Sequence, residues 1–357
     1  MKKKHTFSLI NLRYLYAATP VEPLPSDRSV VIFSDFHMGD GSKKDDFLNN
    51  ADLTIEVLKE YYRRGHLLIL NGDIEELQKF NREKIRRRWS EVFDLFARFR
   101  AEGRLIRLAG NHDLDMLFDD EEEIDIREGV RYALPEEEGV DGRRELFIFH
   151  GHQASRFYAL FNDQLGMMLK YLLRPLPFKN FSVSHDNRKK KRLEERVYSF
   201  SNSQHIVSII GHTHRPLFES LSKSDYVKYN IERLCRQYST ADAQEKEAIQ
   251  GEINDLKQHL EENRPEAEND IGSIYHGDFV VPCVFNSGCV LGKRGITCIE
   301  LSPSDISLVY WFDERRSRRY IRYEGYQARQ LGDTDYYETV IKSEKLDYVF
   351  SRINLLA

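Results

Sequence analysis

Cysteine is scarce in this chain and never closely paired: Cys235, Cys283, Cys289 and Cys298 are the four among 357 residues. That excludes a disulfide-stapled scaffold and a CxxC metal or redox site, and the thiols read as free in a reducing compartment. Long apolar runs are missing too, and none approaches the roughly 18 residues that a membrane-spanning helix requires. After Met1-Lys2-Lys3-Lys4, Asn11 and Arg13 interrupt a mildly apolar start before a secretory core forms. Nor does one sign of charge dominate. Lys and Arg number 53 against 58 Asp and Glu, a formal charge of -5, so the chain as a whole is not an electrostatic binder of nucleic acid. Internal repeats and low-complexity tracts are absent. The expectation is a cytoplasmic protein whose 41% hydrophobic residues fill one large domain with insertions, or a domain with an appendage.

What is there is an alternation. Short runs of branched apolar residues at 30–33, 67–70, 105–108, 146–149 and 206–210 have the continuous hydrophobicity of strands buried on both faces. Between the first three, residues 53–62 and 89–99 repeat apolar positions at three and four residues, the spacing of an amphipathic helix. Strand-helix alternation predicts an α/β class with mostly parallel pairing in the first half. The runs 280–285, 296–301 and 306–312 follow one another over short turns and are expected to close a second sheet as antiparallel hairpins. The fold expected is a four-layer α-β-β-α sandwich over residues 28–312, with a C-terminal extension at 313–357.

Two stretches break this rhythm. Residues 153–204 mix apolar and basic side chains and are expected to form a helical cap; residues 221–272 turn charged, with Ile231, Leu234, Ile249, Ile253, Leu256 and Leu260 spaced for a helical hairpin. Within the cap, nine basic residues between Lys170 and Arg196 face three acidic ones. Such a run is either a solvated helix face or a grip on an anionic substrate or lipid headgroup, and the two readings stand level. The hairpin reads as a dimerisation or partner arm, because two helices alone do not bury an apolar stripe.

The chemistry sits where the strands end. The five runs close on Asp35-Phe36-His37, Gly72-Asp73, Gly110-Asn111-His112-Asp113, His150-Gly151-His152 and Gly211-His212-Thr213-His214. Asp35, Asp73, Asn111 and His150 follow one another at steps of 38, 38 and 39 residues, one strand-helix-strand crossover each. Strand ends form the ligand crevice of an open α/β sheet, so these side chains are expected to converge. Residues two apart on an extended chain share a face, so Asp35 with His37, and His212 with His214, reach one place. Carboxylate, amide oxygen and imidazole without thiolate suit manganese first, with iron, magnesium or zinc as alternatives, at a hydrolytic centre. Seven such ligands are too many for one cation. Two cations about 3.5 to 4 Å apart can share a bridging carboxylate and water.

This ordered series resembles the calcineurin-like metallophosphoesterase family. The resemblance implies that Asp35, His37 and His214 bind one metal, that Asn111, His150 and His212 bind a second, and that Asp73 bridges them. It further implies that a bridging hydroxide attacks phosphorus in line, that His112 stabilises the transition state or protonates the leaving oxygen, and that Asp113 orients His112. His152 is expected to be structural. Gly211-His-Thr-His-Arg215-Pro216, the Leu70 to Glu76 segment and Leu176-Pro177-Phe178 are similar to the bacterial UDP-2,3-diacylglucosamine pyrophosphatases, which work at the inner membrane. This chain departs from that group in having His112 where they typically carry arginine, and in the 221–272 insertion. The resemblance thus implies a phosphodiester or pyrophosphate substrate, lipid-linked in the closer reading, with peripheral membrane contact through the basic cap. A nucleotide or nucleic-acid phosphodiesterase is the alternative, and a non-catalytic metal-binding scaffold the alternative of another class.

Overall fold

The computed structural model of the protein describes residues 6–114, 116, 125–135, 143–155, 187–222, 227, 230–231, 234–235, 238, 242–262, 281–322 and 327–357. The chain divides into one unit of Met1–Glu219 with Val281–Ala357 and a second of Ser220–Val280. In the first unit it runs α1 (Thr6–Ala18), β1 (Val21–Pro23), β2 (Val30–Phe33), α2 (Ala51–Arg63), β3 (Leu67–Asn71), α3 (Arg82–Arg88), α4 (Ser90–Ala101) and β4 (Leu105–Leu108). It continues through β5 (Ile126–Arg127), β6 (Gly129–Ala133), β7 (Glu145–Phe149), α5 (Asn187–Gln204), β8 (Val207–Ile210) and β9 (Leu217–Phe218). The second unit contains α6 (Ala243–Glu262). The first unit then resumes with β10 (Val284–Asn286), β11 (Gly295–Leu301), β12 (Asp305–Asp313), α7 (Arg319–Arg322), β13 (Ala328–Gln330), β14 (Tyr336–Lys345) and α8 (Leu346–Leu356).

The result is a mixed α/β fold with two sheets. One has the order β13-β14-β12-β11-β2-β3-β4-β5; the strands that the first unit contributes to the other run β1-β6-β7-β8-β10-β9. Strands β2 to β5 are parallel, and β11 joins β2 antiparallel in the register Ile299↔Ile32. The later hairpin therefore does not close a separate sheet. Strands β11 and β12 extend the first sheet, while β10 pairs parallel with β8 in the second. The reason lies in β2, whose four residues are all buried: a strand apolar on both faces is stable in the middle of a sheet and requires a neighbour on each edge.

Side-chain alternation along β2 separates two cores. Val30 and Ile32 belong to an apolar cluster with Leu146 and Ile148 of β7, Ile209 of β8, and the inner faces of α1, α5 and α8. Val31 and Phe33 belong to the other, with Leu53, Val57, Leu58 and Tyr61 of α2 and Val92, Leu95, Phe96 and Phe99 of α4. Through α8 the C-terminal segment buries Leu346, Val349, Phe350 and Ile353, and β13 and β14 lengthen the first sheet. Of the cap expected at 153–204, residues 156–186 with their apolar stripe lie outside the described residues; 187–204 form α5. The expected 221–272 hairpin is described only in part, chiefly as α6. No helix among the described residues is long and apolar enough to cross a membrane.

Candidate metal centre

The loops that follow β2 and β3 are zipped together by backbone hydrogen bonds, Asp35 N–H to Gly72 O (3.1 Å), His37 N–H to Asp73 O (3.0 Å) and Met38 N–H to Ile74 O (2.9 Å). Asp35, His37, Asp73, His212 and His214 all adopt positive φ, between 47° and 63°. Left-handed backbone at a residue with a Cβ costs of order 1 to 2 kcal/mol, and five instances at one place mark a site where side-chain direction outweighs backbone comfort. Glycines make the crowding feasible. A Cβ at Gly110 would stand 2.1 Å from Asp73 Oδ1, and one at Gly72, itself at φ 79°, would meet the His150 ring at 2.5 Å.

The expected ligands meet in two groups. Asp35, His37 and His214 form one, and Asp73, His150 and His212 the other. His37 Nε2 lies 3.1 Å from His214 Nε2, and His214 Nε2 lies 3.1 Å from Asp35 Oδ1. Asp73 stands between the groups, its Oδ2 3.1 Å from His150 Nε2 and 3.7 Å from His37 Nε2. Asn111 follows Gly110 at the end of β4, and the next residue, His112, donates its backbone N–H to Asp73 Oδ1 (2.8 Å). His152 is buried, its ring 5.5 Å from that of His150.

Ring tautomers are set from behind. His150 Nδ1–H donates to Asn71 O (2.7 Å) and His37 Nδ1–H to Glu76 Oε2 (3.1 Å), which turns the Nε2 lone pair of each ring into the site. His150 Nε2, His212 Nε2, Asn111 Oδ1 and Asp35 Oδ1 are buried and make no hydrogen bond. Buried polar atoms are seldom left so, and donor atoms about 3 Å apart, such as His150 Nε2 and Asp73 Oδ2, are spaced as ligands along one coordination edge. The donor set therefore fits a pair of hard or borderline divalent cations.

Electrostatics favour the same occupant. Burial alone would raise the carboxyl pKa values of Asp35 and Asp73, but the neighbouring imidazoles, His214 and His150 foremost, hold both below the usual range. Against its own burial, His37 is raised to about 10 by Asp35 and the Glu76 hydrogen bond, and His150 to about 9 by the charges of Asp73 and Asp35. Burial and nearby His150 push His212 down to about 3. Two buried carboxylates thus draw positive charge into the centre.

Asp113 does not orient His112. Its carboxylate accepts the backbone N–H groups of Gly110 (2.7 Å), Ile74 (2.9 Å) and Asp73 (3.3 Å) and lies 3.5 Å from Arg107, so it braces the turns after β3 and β4. The carboxylate at His112 Nδ1 belongs to Glu76, whose Oε1 is 2.7 Å away. Glu76, three residues past Asp73, therefore spans two histidines, and its closeness to the Gly72-Asp73 pair was the one sequence signal. Two further supports carried less signal. Glu194 of α5 accepts from Thr213 Oγ1 (2.8 Å) and pairs with Arg215, and Asn286 Nδ2 donates to Gly211 O (3.0 Å) and Thr213 Oγ1 (2.9 Å). Together they clamp the His212–His214 turn.

Comparison with curated proteins finds no match for this chain. A family model described as the calcineurin-like phosphoesterase superfamily domain matches residues 29–230, more than half of the sequence and every ligand named above. With the matched span covering both ligand groups, the chain belongs to the calcineurin-like phosphoesterases, a family of metal-dependent phosphoester hydrolases.

Proposed function

We propose that the protein is a dinuclear-metal hydrolase of a phosphodiester or pyrophosphate bond. Asp35, His37 and His214 would hold one cation and Asn111, His150 and His212 a second, with Asp73 shared between them. The observation that carries this reading is the position of Asp73 Oδ2, 3.1 Å from His150 Nε2 and 3.7 Å from His37 Nε2, beside the buried atoms Asp35 Oδ1, Asn111 Oδ1, His150 Nε2 and His212 Nε2, which make no hydrogen bond. Manganese suits the mixed oxygen and imidazole donors best. When bound, the cations supply Lewis-acid charge to the phosphoryl oxygens and lower the pKa of the attacking water.

The rest of the chemistry falls to the chain. His112, its ring centre 4.6 Å from that of His37 and its side chain 13% exposed, faces the reacting phosphoryl group and delivers a proton to the leaving oxygen from Nε2. Glu76 holds His112 through Nδ1 and fixes the orientation of its ring. Asp113 keeps the two turns in register. The same ground, two sheets sharing one core with helices packed in both apolar clusters, supports the four-layer arrangement, with the regions 153–204 and 221–272 as insertions.

Among substrates we place a pyrophosphate in a nucleotide-linked sugar lipid first, on the motif similarity described above and the basic residues of α5. The test compares an aryl phosphodiester, a UDP-linked acylated glucosamine and single-stranded DNA with added manganese. Cleavage of the UDP lipid in preference supports this reading; activity confined to DNA or the aryl ester moves the nucleotide phosphodiesterase to first place. A chain that binds two manganese ions and cleaves no phosphoester is the scaffold instead.

A further inference from the structure

The basic run on α5 is not uniform. Arg188, Lys189 and Arg192 are exposed, whereas Lys190 and Lys191 are half-buried, and of these two Lys191 makes a further interaction. Lys190 makes no hydrogen bond or ion pair among the described residues, a lack it shares with Arg192, which is exposed. A lysine drawn from solvent without a partner is uncommon, because the ammonium loses hydration that nothing replaces. Burial accordingly lowers its pKa from the ordinary lysine value, and the groups that act on it electrostatically are Cys289, Glu194, Arg215 and Asp35.

These neighbours locate it. Glu194 lies one helical turn further along the same face of α5 and grips Thr213, between the ligands His212 and His214. Cys289 Sγ points toward His214 O at 3.9 Å. The face of α5 that carries Lys190 is therefore seated against the metal-binding turn. Glu194 is already paired with Arg215 and Thr213 and makes no ion pair with Lys190, so it acts on the lysine only at a distance. Asp35 is committed to the centre.

We propose that Lys190 forms an anion subsite beside the metal centre and receives a second phosphoryl group of the substrate, which makes the natural substrate a pyrophosphate. This rests on the metal-centre reading above. The centre takes the phosphoryl group under attack; a neighbouring phosphoryl group brings further negative charge a few ångströms away, and a compact ammonium on a flexible stem is suited to meet it. A simple diester has no group for this subsite.

The experiment measures binding of inorganic pyrophosphate and of inorganic phosphate to manganese-loaded protein by calorimetry, for the wild type, Lys190→Met and Lys190→Arg. Manganese content is read first, in all three. The expected result is that Lys190→Met weakens pyrophosphate roughly 10- to 100-fold, the scale of a lost charge-assisted hydrogen bond, with phosphate shifted less than about threefold and Lys190→Arg recovering most of the loss. Equal weakening of both anions, or of neither, overturns the second-phosphoryl assignment. A wild type that holds no manganese fails the metal-centre reading instead, and does so before any anion is added.

Discussion

Replacing Glu76 with glutamine keeps the shape of the side chain and removes its charge, and the structure says which functions should then suffer. Glu76 Oε1 lies 2.7 Å from His112 Nδ1 and Oε2 lies 3.1 Å from His37 Nδ1. Glutamine has one oxygen for these two rings. If it faces His112, the amide NH2 meets His37 Nδ1, which must become an acceptor, and the His37 proton moves to Nε2, the atom aimed at the cation. Loss of a hydrogen-bond partner behind a ligating histidine typically costs 10- to 100-fold in metal affinity. If the amide turns the other way, His112 loses the carboxylate oxygen that holds its Nδ1. A hydrogen bond to a charged group is worth roughly 1.5 to 3 kcal/mol, about 10- to 150-fold in rate. The assay is manganese affinity by titration together with kcat at saturating manganese on an aryl phosphodiester. At least one of the two should fall by about tenfold or more. Lys79→Met is the control, since the exposed Lys79 ammonium touches Glu76 Oε2 at 3.2 Å without meeting either ring, and both quantities should change less than about threefold. If Glu76→Gln leaves affinity and kcat within a factor of two of the wild type, Glu76 neither sets the His37 tautomer nor supports His112.

Three further outcomes test other parts of the molecule. Asp73→Asn should lower bound manganese at both positions, read by elemental analysis after dialysis; two tightly held ions would remove the bridge from the scheme. Arg131→Met should destabilise the fold by about 3 to 5 kcal/mol in urea unfolding, because Arg131 pairs with buried Glu145 (2.7 Å) and ties down the end of α1 through Tyr16 O (2.8 Å) and Thr19 O (3.0 Å). A loss below about 1 kcal/mol would mean that α1 docks by its apolar face alone. His66 is an acid-sensitive group away from the centre: burial, then the charge of Arg64, lowers its pKa from 6.5 to about 4. The unfolded chain takes up the proton near pH 6.5 and the folded one only near 4, so stability is present above 6.5 and is lost as pH falls through that window. His66→Phe should flatten the fall in unfolding midpoint between pH 6.5 and 4, and parallel curves for the two proteins would contradict the assignment.

The strands that carry ligands were legible because burial on both faces leaves a local mark. The apolar runs at 30–33, 105–108 and 146–149 coincide, within a residue, with β2, β4 and β7, and each ends where a ligand follows. Strands whose faces are polar left no such mark. Strand β14 places Glu338, Lys342, Ser343 and Glu344 along a sheet near its edge, and β6 holds Arg131 in a buried ion pair, so neither reads as an apolar run. Partition between sheets was also hidden, since a doubly buried strand looks the same whichever sheet receives it and the pairing of Ile32 with Ile299 spans most of the chain. The site followed the same division. The candidate ligands were local, because residue type and strand end picked out the Asp and His side chains that meet in the two groups. The carboxylate beside His112 was not, because the family resemblance pointed to Asp113, whereas Asp113 meets backbone amides and Glu76 reaches the ring. The turns after β2 and β3 are hydrogen-bonded to each other and carry left-handed residues, so backbone direction there, rather than distance along the chain, decides which acid reaches His112.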